Sequence, residues 1–349
     1  MSHLDDLGGW PNLLAKLSAG IDLTTQDTYT AVSAMLDGSA SHAQIAAFII
    51  AIRIKGETAD ELGGCLDALV DAGTNAPIAD PATALDIVGT GGDRSHSINV
   101  STMSAIVVAG AGARVCKHGN RGASSKCGAA DLLEELGVVI DLGAAEVARC
   151  VDEIGIGFCL APKFHPAVHH VGPVRRELGV PTVFNILGPM ANPGRAGRRL
   201  VGVADGSMAD RMVRVMGSRG VNRALVVHGD DGLDELSTTG TSQVFELIDG
   251  EFTSYVIEPL EYGIPRASMA DLVGGDPDFN AAVAHRVFSG DRGPARDIVV
   301  LNAGAGLYAS GLVTSIAEGI VAAAQSIDSG ASAAKLAAFV DLTQSLASA

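Results

Sequence analysis

The sequence predicts an α/β protein: a small N-terminal helical domain, then a larger domain with a mainly parallel central sheet flanked by helices. Three observations carry this expectation. The first ~75 residues show helical apolar spacing and helix caps. From residue 84 onward, short apolar runs alternate with helical stretches. The chain is 47% hydrophobic but only 4% aromatic, with 43 glycines, which implies an Ala/Val/Leu/Ile core and many tight turns. Its 349 residues suffice for two domains without disulfides or a structural metal.

Taken in order, Thr24 or Thr25 caps a helix running to Gly38, and Ser41 caps "HAQIAAFIIAIRIKG", which closes on Gly56. Thr58 precedes "ADELGGCLDALVDAG", with Gly73 as its stop. "TNAPIADPATA", with two prolines, reads as a hinge, so the helical domain is set at 1–78 and the α/β domain at 79–349. Candidate strands fall at 85–88, 114–117, 158–161, 199–203 and 224–228. Helices at 101–110, 129–136, 146–154 and 209–217 lie between them. "SQVFELIDGEFTSYVIE" alternates around Asp249-Gly250, a β-hairpin signal. The last third returns to helices, ending in "AAKLAAFVDLTQSLA".

A formal charge of −16 argues against a nucleic-acid partner but leaves room for a small phosphorylated ligand. The five cysteines are odd in number and contain no CxxC pair, which predicts reduced thiols and a cytoplasmic protein. "MSHLDDLGGWPNLLAKL" lacks a basic region leading into an apolar one, so no signal peptide is expected. Arg53 ends "IAAFIIAI" and Asn302 interrupts the run from Ile298, so no membrane span is expected either.

Ligands of a parallel sheet bind beyond the carboxyl ends of its strands. The first segment with chemistry there is "GTGGDRSHSINVST". It is not a dinucleotide fingerprint, because Arg94 stands where the third glycine belongs. Its glycines let backbone N–H groups approach an oxyanion, and the next helix offers its positive end. Ser101 and Thr102 fall at that helix start, where capping is the simplest role. Asp93 would repel phosphate unless it holds a cation or a ribose hydroxyl.

"VCKHGNRGASSKCG" follows the next strand. Lys117 and Arg121 are cationic donors, Asn120 a neutral one, Ser124 and Ser125 bring hydroxyls, and Gly119, Gly122 and Gly128 keep the backbone open. The Walker A order is absent, and the loop reads as a nest for a diphosphate or sugar phosphate. His118 is a candidate general acid or base, though a hydrogen-bonding wall role is simpler.

"VVHGDDGLDELS" clusters Asp230, Asp231, Asp234 and Glu235. A solvated turn is the ordinary reading. The functional one is Mg²⁺ held by one or two carboxylates plus phosphate oxygens, with Asp234 and Glu235 as ligands. "APKFHPAVHHVGPVRRELGVPTVFNILGPMANPG" places Pro166 and Pro173 in the first turns of short helices. Of Arg175 and Arg176, roughly 100° apart on a helix, one can face a cleft and clamp a carboxylate. A surface ion pair with Glu177 or another neighbour is the simpler alternative.

Together "GTGGD" (89–93), "NVST" (99–102), "KHGNRGASS" (117–125), "GAADLLEELG" (128–137), "FHPAVHHVGPVRRELGVPTVFNILGPMANP" (164–193) and "VVHGDDGLDELS" (226–237) resemble the anthranilate phosphoribosyltransferase family over most of the chain. The resemblance implies attack of the anthranilate amine on C1 of 5-phosphoribosyl 1-diphosphate. Diphosphate leaves and N-(5-phosphoribosyl)anthranilate forms, a step of tryptophan biosynthesis. It further implies Mg²⁺, a homodimer formed through the helical domain, and membership of part of 166–190 in that domain.

Residue by residue, the resemblance gives the sugar diphosphate to Gly89, Thr90, Gly92, Asp93, Ser97, Asn99, Val100, Ser101 and Thr102. From the second loop it adds Lys117, Gly119, Asn120, Arg121, Gly122, Ala123, Ser124, Ser125 and Ala129. It gives anthranilate to Gly89, Asn120 and Arg175, and Mg²⁺ to Ser101, Asp234 and Glu235. Asn120, Arg175 and His118 are the candidates for catalysis. One departure is Ala129, where the family commonly has serine, which removes a hydroxyl near the diphosphate.

An aryl amine is uncharged at neutral pH and needs positioning more than a base, so no obligatory general base is assigned. The alternatives are a pyrimidine nucleoside phosphorylase, which needs no acidic metal loop, and a non-catalytic nucleic-acid-binding relative, which should be basic. "DGLDE", Arg175 and the charge of −16 count against them.

Overall fold

The computed structural model describes residues 4–122 and 125–348. The chain forms two compact units, one of residues up to Thr74 with Ala161–Pro193, the other of Asn75–Leu160 with Gly194 onward. The first boundary has a local cause. The Thr74 N–H donates to the Phe164 carbonyl at 2.7 Å, whereas the Ala79 N–H donates to the Asp152 carboxylate at 3.1 Å. The switch between units therefore comes a few residues before the expected 78, and the returning segment is longer than 166–190.

In the helical unit, Thr25–Leu36, His42–Lys55 and Ala59–Asp71 each begin with a capping box, on Thr24 and Asp27, Ser41 and Gln44, and Thr58 and Glu61. Leu13, Met35, Ile45, Phe48, Ile49, Ile52 and Leu62 are fully buried. Gly64 lets two helices close up, since a Cβ there would stand 2.1 Å from the Thr25 carbonyl oxygen. Pro166 and Pro173 do open short helical turns, Pro166–His170 and Gly172–Leu178. His165 Nε2 lies 2.9 Å from the Ala191 carbonyl oxygen and ties the segment's ends together.

Glu61 is the polar pivot of this unit. Its side chain is fully buried. It accepts the N–H groups of Leu23 and Thr58 and the Lys55 ammonium, each at 2.8 Å.

The α/β unit holds, among the described residues, a seven-stranded sheet: β1 Leu85–Gly89, β2 Val115–Gly119, β3 Ile156–Leu160, β4 Arg198–Gly202, β5 Arg223–Gly229, β6 Ser242–Ile248 and β7 Glu251–Ile257. The order is β3-β2-β1-β4-β5-β6-β7. β1 to β5 are mutually parallel, and β6 and β7 form the antiparallel hairpin. Asp249 (φ 50) and Gly250 (φ 89) make its turn, as the sequence predicts. β3 starts two residues before the expected 158, and residue 161 already belongs to the helix Ala161–Phe164.

Chain order reverses beside β1, whose neighbours are β2 and β4. That is the switch point where such sheets open a crevice at their carboxyl edge. Helices Val100–Gly110, Pro294–Ala309 and Ile316–Asp328 pack together in this unit. The last two touch through glycines, a Cβ on Gly319 falling 2.1 Å from the Gly304 carbonyl oxygen. All five cysteines are buried free thiols. Among the described residues, no helix is long and apolar enough to cross a membrane.

Removing the Glu61 carboxylate strands two N–H donors and a lysine in the helical unit. Glu61→Ala should cost about 3–5 kcal/mol in chemical denaturation, the usual penalty for breaking a buried pair. A loss below ~1 kcal/mol would show that water replaces the carboxylate.

Candidate active site

A buried charge network fixes the strands that carry the site. Asp86 on β1 accepts the His118 N–H of β2 at 3.0 Å and the Arg199 guanidinium of β4 at 3.1 Å. Asp86 and Arg199 are both almost fully buried. One carboxylate therefore couples three neighbouring strands below the crevice. Beside it, Lys117 donates to the Ile87 carbonyl oxygen, with its ammonium 3.4 Å from Ser101 Oγ. Burial pulls the Lys117 pKa down, against the opposing pull of Asp86, Glu235 and Asp234.

The Gly89 loop leaves β1 at the switch point. The Thr90 N–H donates to the Gly202 carbonyl at 2.9 Å, and Thr90 Oγ1 accepts the Ala204 N–H at 3.1 Å. Gly91, Gly92, Arg94 and His96 all have positive φ, between 52° and 80°. For Arg94 and His96 that is a strained conformation. Asp93 accepts from the Ser95 hydroxyl at 2.7 Å, and the Ser97 backbone bridges to Val273. Asn99 donates to the Cys127 carbonyl at 3.1 Å and accepts from Asn280 at 2.8 Å. Val100 is buried at the first turn of helix Val100–Gly110, and Thr102 Oγ1 is buried without a partner among the described residues.

Capping by Ser101 or Thr102 is not what the structure contains. The cap position belongs to Asn99 and makes no side-chain cap bond. Instead Glu235, from the acidic loop, accepts the Ser101 N–H at 3.1 Å. Asp234 accepts the Gly91 N–H at 2.6 Å.

The four acids of that loop divide in two. Asp230 accepts from the Thr241 hydroxyl, and Asp231 from the hydroxyls of Ser237 and Thr239 and from the Leu233 N–H, so both build the turn. Asp234 and Glu235 turn inward. Burial, then the neighbouring Asp93 carboxylate, push the Asp234 carboxyl up to about 7. Glu235, only 9% exposed, is pushed well above the carboxylate range by burial and then by Asp234, against Lys117 and the Ser101 N–H.

The buried carboxylates of Asp234 and Glu235, with the Ser101 hydroxyl close by, are a hard-oxygen donor set, which fits Mg²⁺. Among the described residues no three His, Cys, Asp or Glu side chains form a closed metal cage. Gly89 is required here, because a Cβ on it would stand 2.2 Å from Asp234 Oδ2.

In the second loop, Ala123 and Ser124 lie outside the described residues. Gly119 ends β2, and the exposed Asn120 accepts the Arg121 N–H through Oδ1 at 2.8 Å. Gly122 donates its N–H to Asp131 at 2.8 Å, and the Arg121 guanidinium meets Asp131 at 2.9 Å and Glu134 at 2.7 Å. Ser125 donates to the Cys127 carbonyl at 3.2 Å, and Ala129 opens helix Ala129–Glu135. His118 is 3% exposed within β2, which favours the wall role over general acid or base.

In the helical unit, half-buried Arg175 lies 3.3 Å from Asn185 Oδ1, its guanidinium carbon 5.6 Å from the Phe184 ring centroid. It pairs with no carboxylate among the described residues, so the expected alternative with Glu177 does not form. Burial lowers its pKa. Arg176 is exposed.

Sequence reasoning missed Asp86, Arg199, Asp131 and Asn280. A charge inside an apolar strand run ("LDIV", "RRLVG") was a usable signal for the first two, and Asp131 three residues after Gly128 is a capping-box position. Nothing local marks Asn280.

This plan of units and loops matches known proteins. Two family models place the chain among glycosyl transferases: "Glycosyl transferase family, a/b domain" over residues 81–333 and "Glycosyl transferase family, helical bundle domain" over 11–73. The anthranilate phosphoribosyltransferase of Rhodococcus jostii is 50% identical over 344 residues, 97% of this chain and 94% of the relative. The crystal structure of the anthranilate phosphoribosyltransferase from Thermus thermophilus aligns with TM-score 0.90 at 39% identity, covering 95% of this chain and 99% of its own. The Saccharomyces cerevisiae enzyme in complex with PRPP and Mg aligns with TM-score 0.88 at 28% identity, covering 98% and 100%. The chain belongs to the anthranilate phosphoribosyltransferase family.

Confining Asp234 beside Asp93 and Glu235 costs stability. Asp234→Asn keeps an acceptor for Gly91 and removes the repulsion, so in Mg²⁺-free buffer at pH 8 it should raise the melting temperature by about 2–4 °C. An unchanged or lower value would mean that the carboxylates are not in conflict.

Proposed function

We propose that the protein transfers the phosphoribosyl group of 5-phosphoribosyl 1-diphosphate to the amine of anthranilate. The products are N-(5-phosphoribosyl)anthranilate and diphosphate, within tryptophan biosynthesis. The observation that carries this reading is the folding of Asp234 and Glu235 onto the Gly89 loop and the start of helix Val100–Gly110. Two carboxylates suited to a metal ion are thereby fastened beside the glycine-rich loop and the helix start at one strand edge. The PRPP and Mg of the yeast relative support the same ligands here.

In this reading the loop 89–102, with Thr90, Asp93, Ser97, Asn99 and Thr102, holds the sugar diphosphate, together with Lys117 and the loop 119–129. Asp234, Glu235 and Ser101 hold Mg²⁺. The metal, when bound, neutralises charge that develops on the leaving diphosphate. With the N–H groups of Thr90, Gly91 and Ser101 taken by Gly202, Asp234 and Glu235, the remaining backbone N–H groups of the Gly89 loop are the donors for that charge, which preorganised donors stabilise most effectively. Lys117, whose ammonium meets the Ile87 carbonyl and Ser101 Oγ, stands at the same edge as a cation for the diphosphate.

Arg175 takes the anthranilate carboxylate, and Asn120 and Gly89 are its further contacts. The amine has no proton to shed before it attacks, so positioning supplies the acceleration and His118 needs no proton-transfer role. The protein is assigned to the cytoplasm and to a homodimer, by the reduced thiols and by the family resemblance.

The carboxylate clamp is tested by steady-state kinetics of Arg175→Ala. The KM for anthranilate should rise roughly tenfold or more with little change for the sugar diphosphate. Equal rises in both constants would remove Arg175 from the anthranilate site.

A further inference from the structure

We infer that Asp131 is a positioning residue that sets the shape of the second phosphate loop by fastening its two ends together, an inference that rests on the transferase reading above. Asp131 Oδ2 accepts the N–H of Gly122 and the N–H of Gly128, each at 2.8 Å. These residues stand at opposite ends of the loop, and they touch: a Cβ on Gly128 would fall 2.2 Å from the Gly122 nitrogen. The other oxygen, Oδ1, takes the Arg121 guanidinium at 2.9 Å.

Ordinary helix capping explains only part of this. Asp131 is the third residue of helix Ala129–Glu135, and an acid there commonly accepts the N–H of the cap residue, here Gly128. The bond from Gly122 lies outside that pattern and adds a side-chain tie to the backbone bond by which the Ala130 N–H donates to the Asn120 carbonyl at 3.1 Å. Burial acts against the Asp131 carboxylate, but the donors of Gly122 and Gly128 and then Arg121 outweigh it and hold its pKa below the usual range.

Two consequences follow for the ligand. The two ends of the loop, at Gly122 and Gly128, are held together before the diphosphate arrives, so binding does not have to bring them together. Arg121 is already shared between Asp131 and Glu134, so it serves the loop's geometry more than it supplies a free charge.

The test measures kcat and both KM values for Asp131→Ala and Asp131→Asn, with trypsin cleavage after the exposed Lys126 as a readout independent of activity. Asp131→Ala should raise the KM for phosphoribosyl diphosphate about tenfold or more, leave the anthranilate KM within roughly twofold, and speed cleavage at Lys126. The carboxamide oxygen of Asp131→Asn can still accept both N–H groups, so that variant should return both readouts to within about threefold of the parent. If Asp131→Ala does not fold, Asp131→Ser takes its place, with the same result expected.

Unchanged sugar-diphosphate KM and cleavage in the alanine variant would overturn the inference, as would an asparagine variant no better than alanine. Absence of turnover by the parent protein would instead remove the transferase reading on which it rests.

Discussion

The acceptance of two backbone N–H groups by two consecutive carboxylates governs the strand edge. Asp234 holds Gly91 and Glu235 holds Ser101, so the acidic loop after β5 is folded onto the loop after β1. Neighbouring glycines answer to that contact. A Cβ at Gly89 would meet Asp234 Oδ2 at 2.2 Å, and one at Gly202 would meet the Asp234 carbonyl oxygen at 1.6 Å. The arrangement is costly in the absence of a cation, since burial, with Asp93 acting on Asp234 and Asp234 on Glu235, pushes both carboxyls toward protonation. Sites that store such conflict are typically the ones that a ligand relieves.

Beneath this edge, the Asp86–Arg199 pair gives the crevice a rigid floor. A buried ion pair is weak evidence for stability, but this one also accepts the His118 N–H and so spans β2, β1 and β4. It lies where chain order reverses, between β1 and β4, which are paired from Leu85 with Arg198 to Gly89 with Gly202. Lys117 sits between the floor and the acidic loop, near enough to both for Asp86, Glu235 and Asp234 to oppose its desolvation. The site is thus a balance of buried charges assembled from β1, β2, β4 and the loop after β5.

Much of this was legible in the sequence because the signals are local. Thr24, Ser41 and Thr58 announce their helices through side-chain caps. Asp249-Gly250 announces the hairpin through the φ that glycine permits. The loops at Gly89, Lys117 and Asp234 announce themselves by residue types that a plain turn does not need. What stayed hidden depends on distance along the chain. That Glu235 rather than Ser101 satisfies the helix start, and that Asn280 meets Asn99, are contacts across 134 and 181 residues. The first unit's boundary was misplaced by a few residues because prolines mark a bend but not the strand of contacts it joins.

The most direct test of the account follows anthranilate fluorescence during incubation of the protein with phosphoribosyl diphosphate and Mg²⁺, beside controls that omit each component or add EDTA. The account predicts loss of signal only when protein, sugar diphosphate and Mg²⁺ are all present. Persistent fluorescence with folded protein, or loss that EDTA does not prevent, would contradict it.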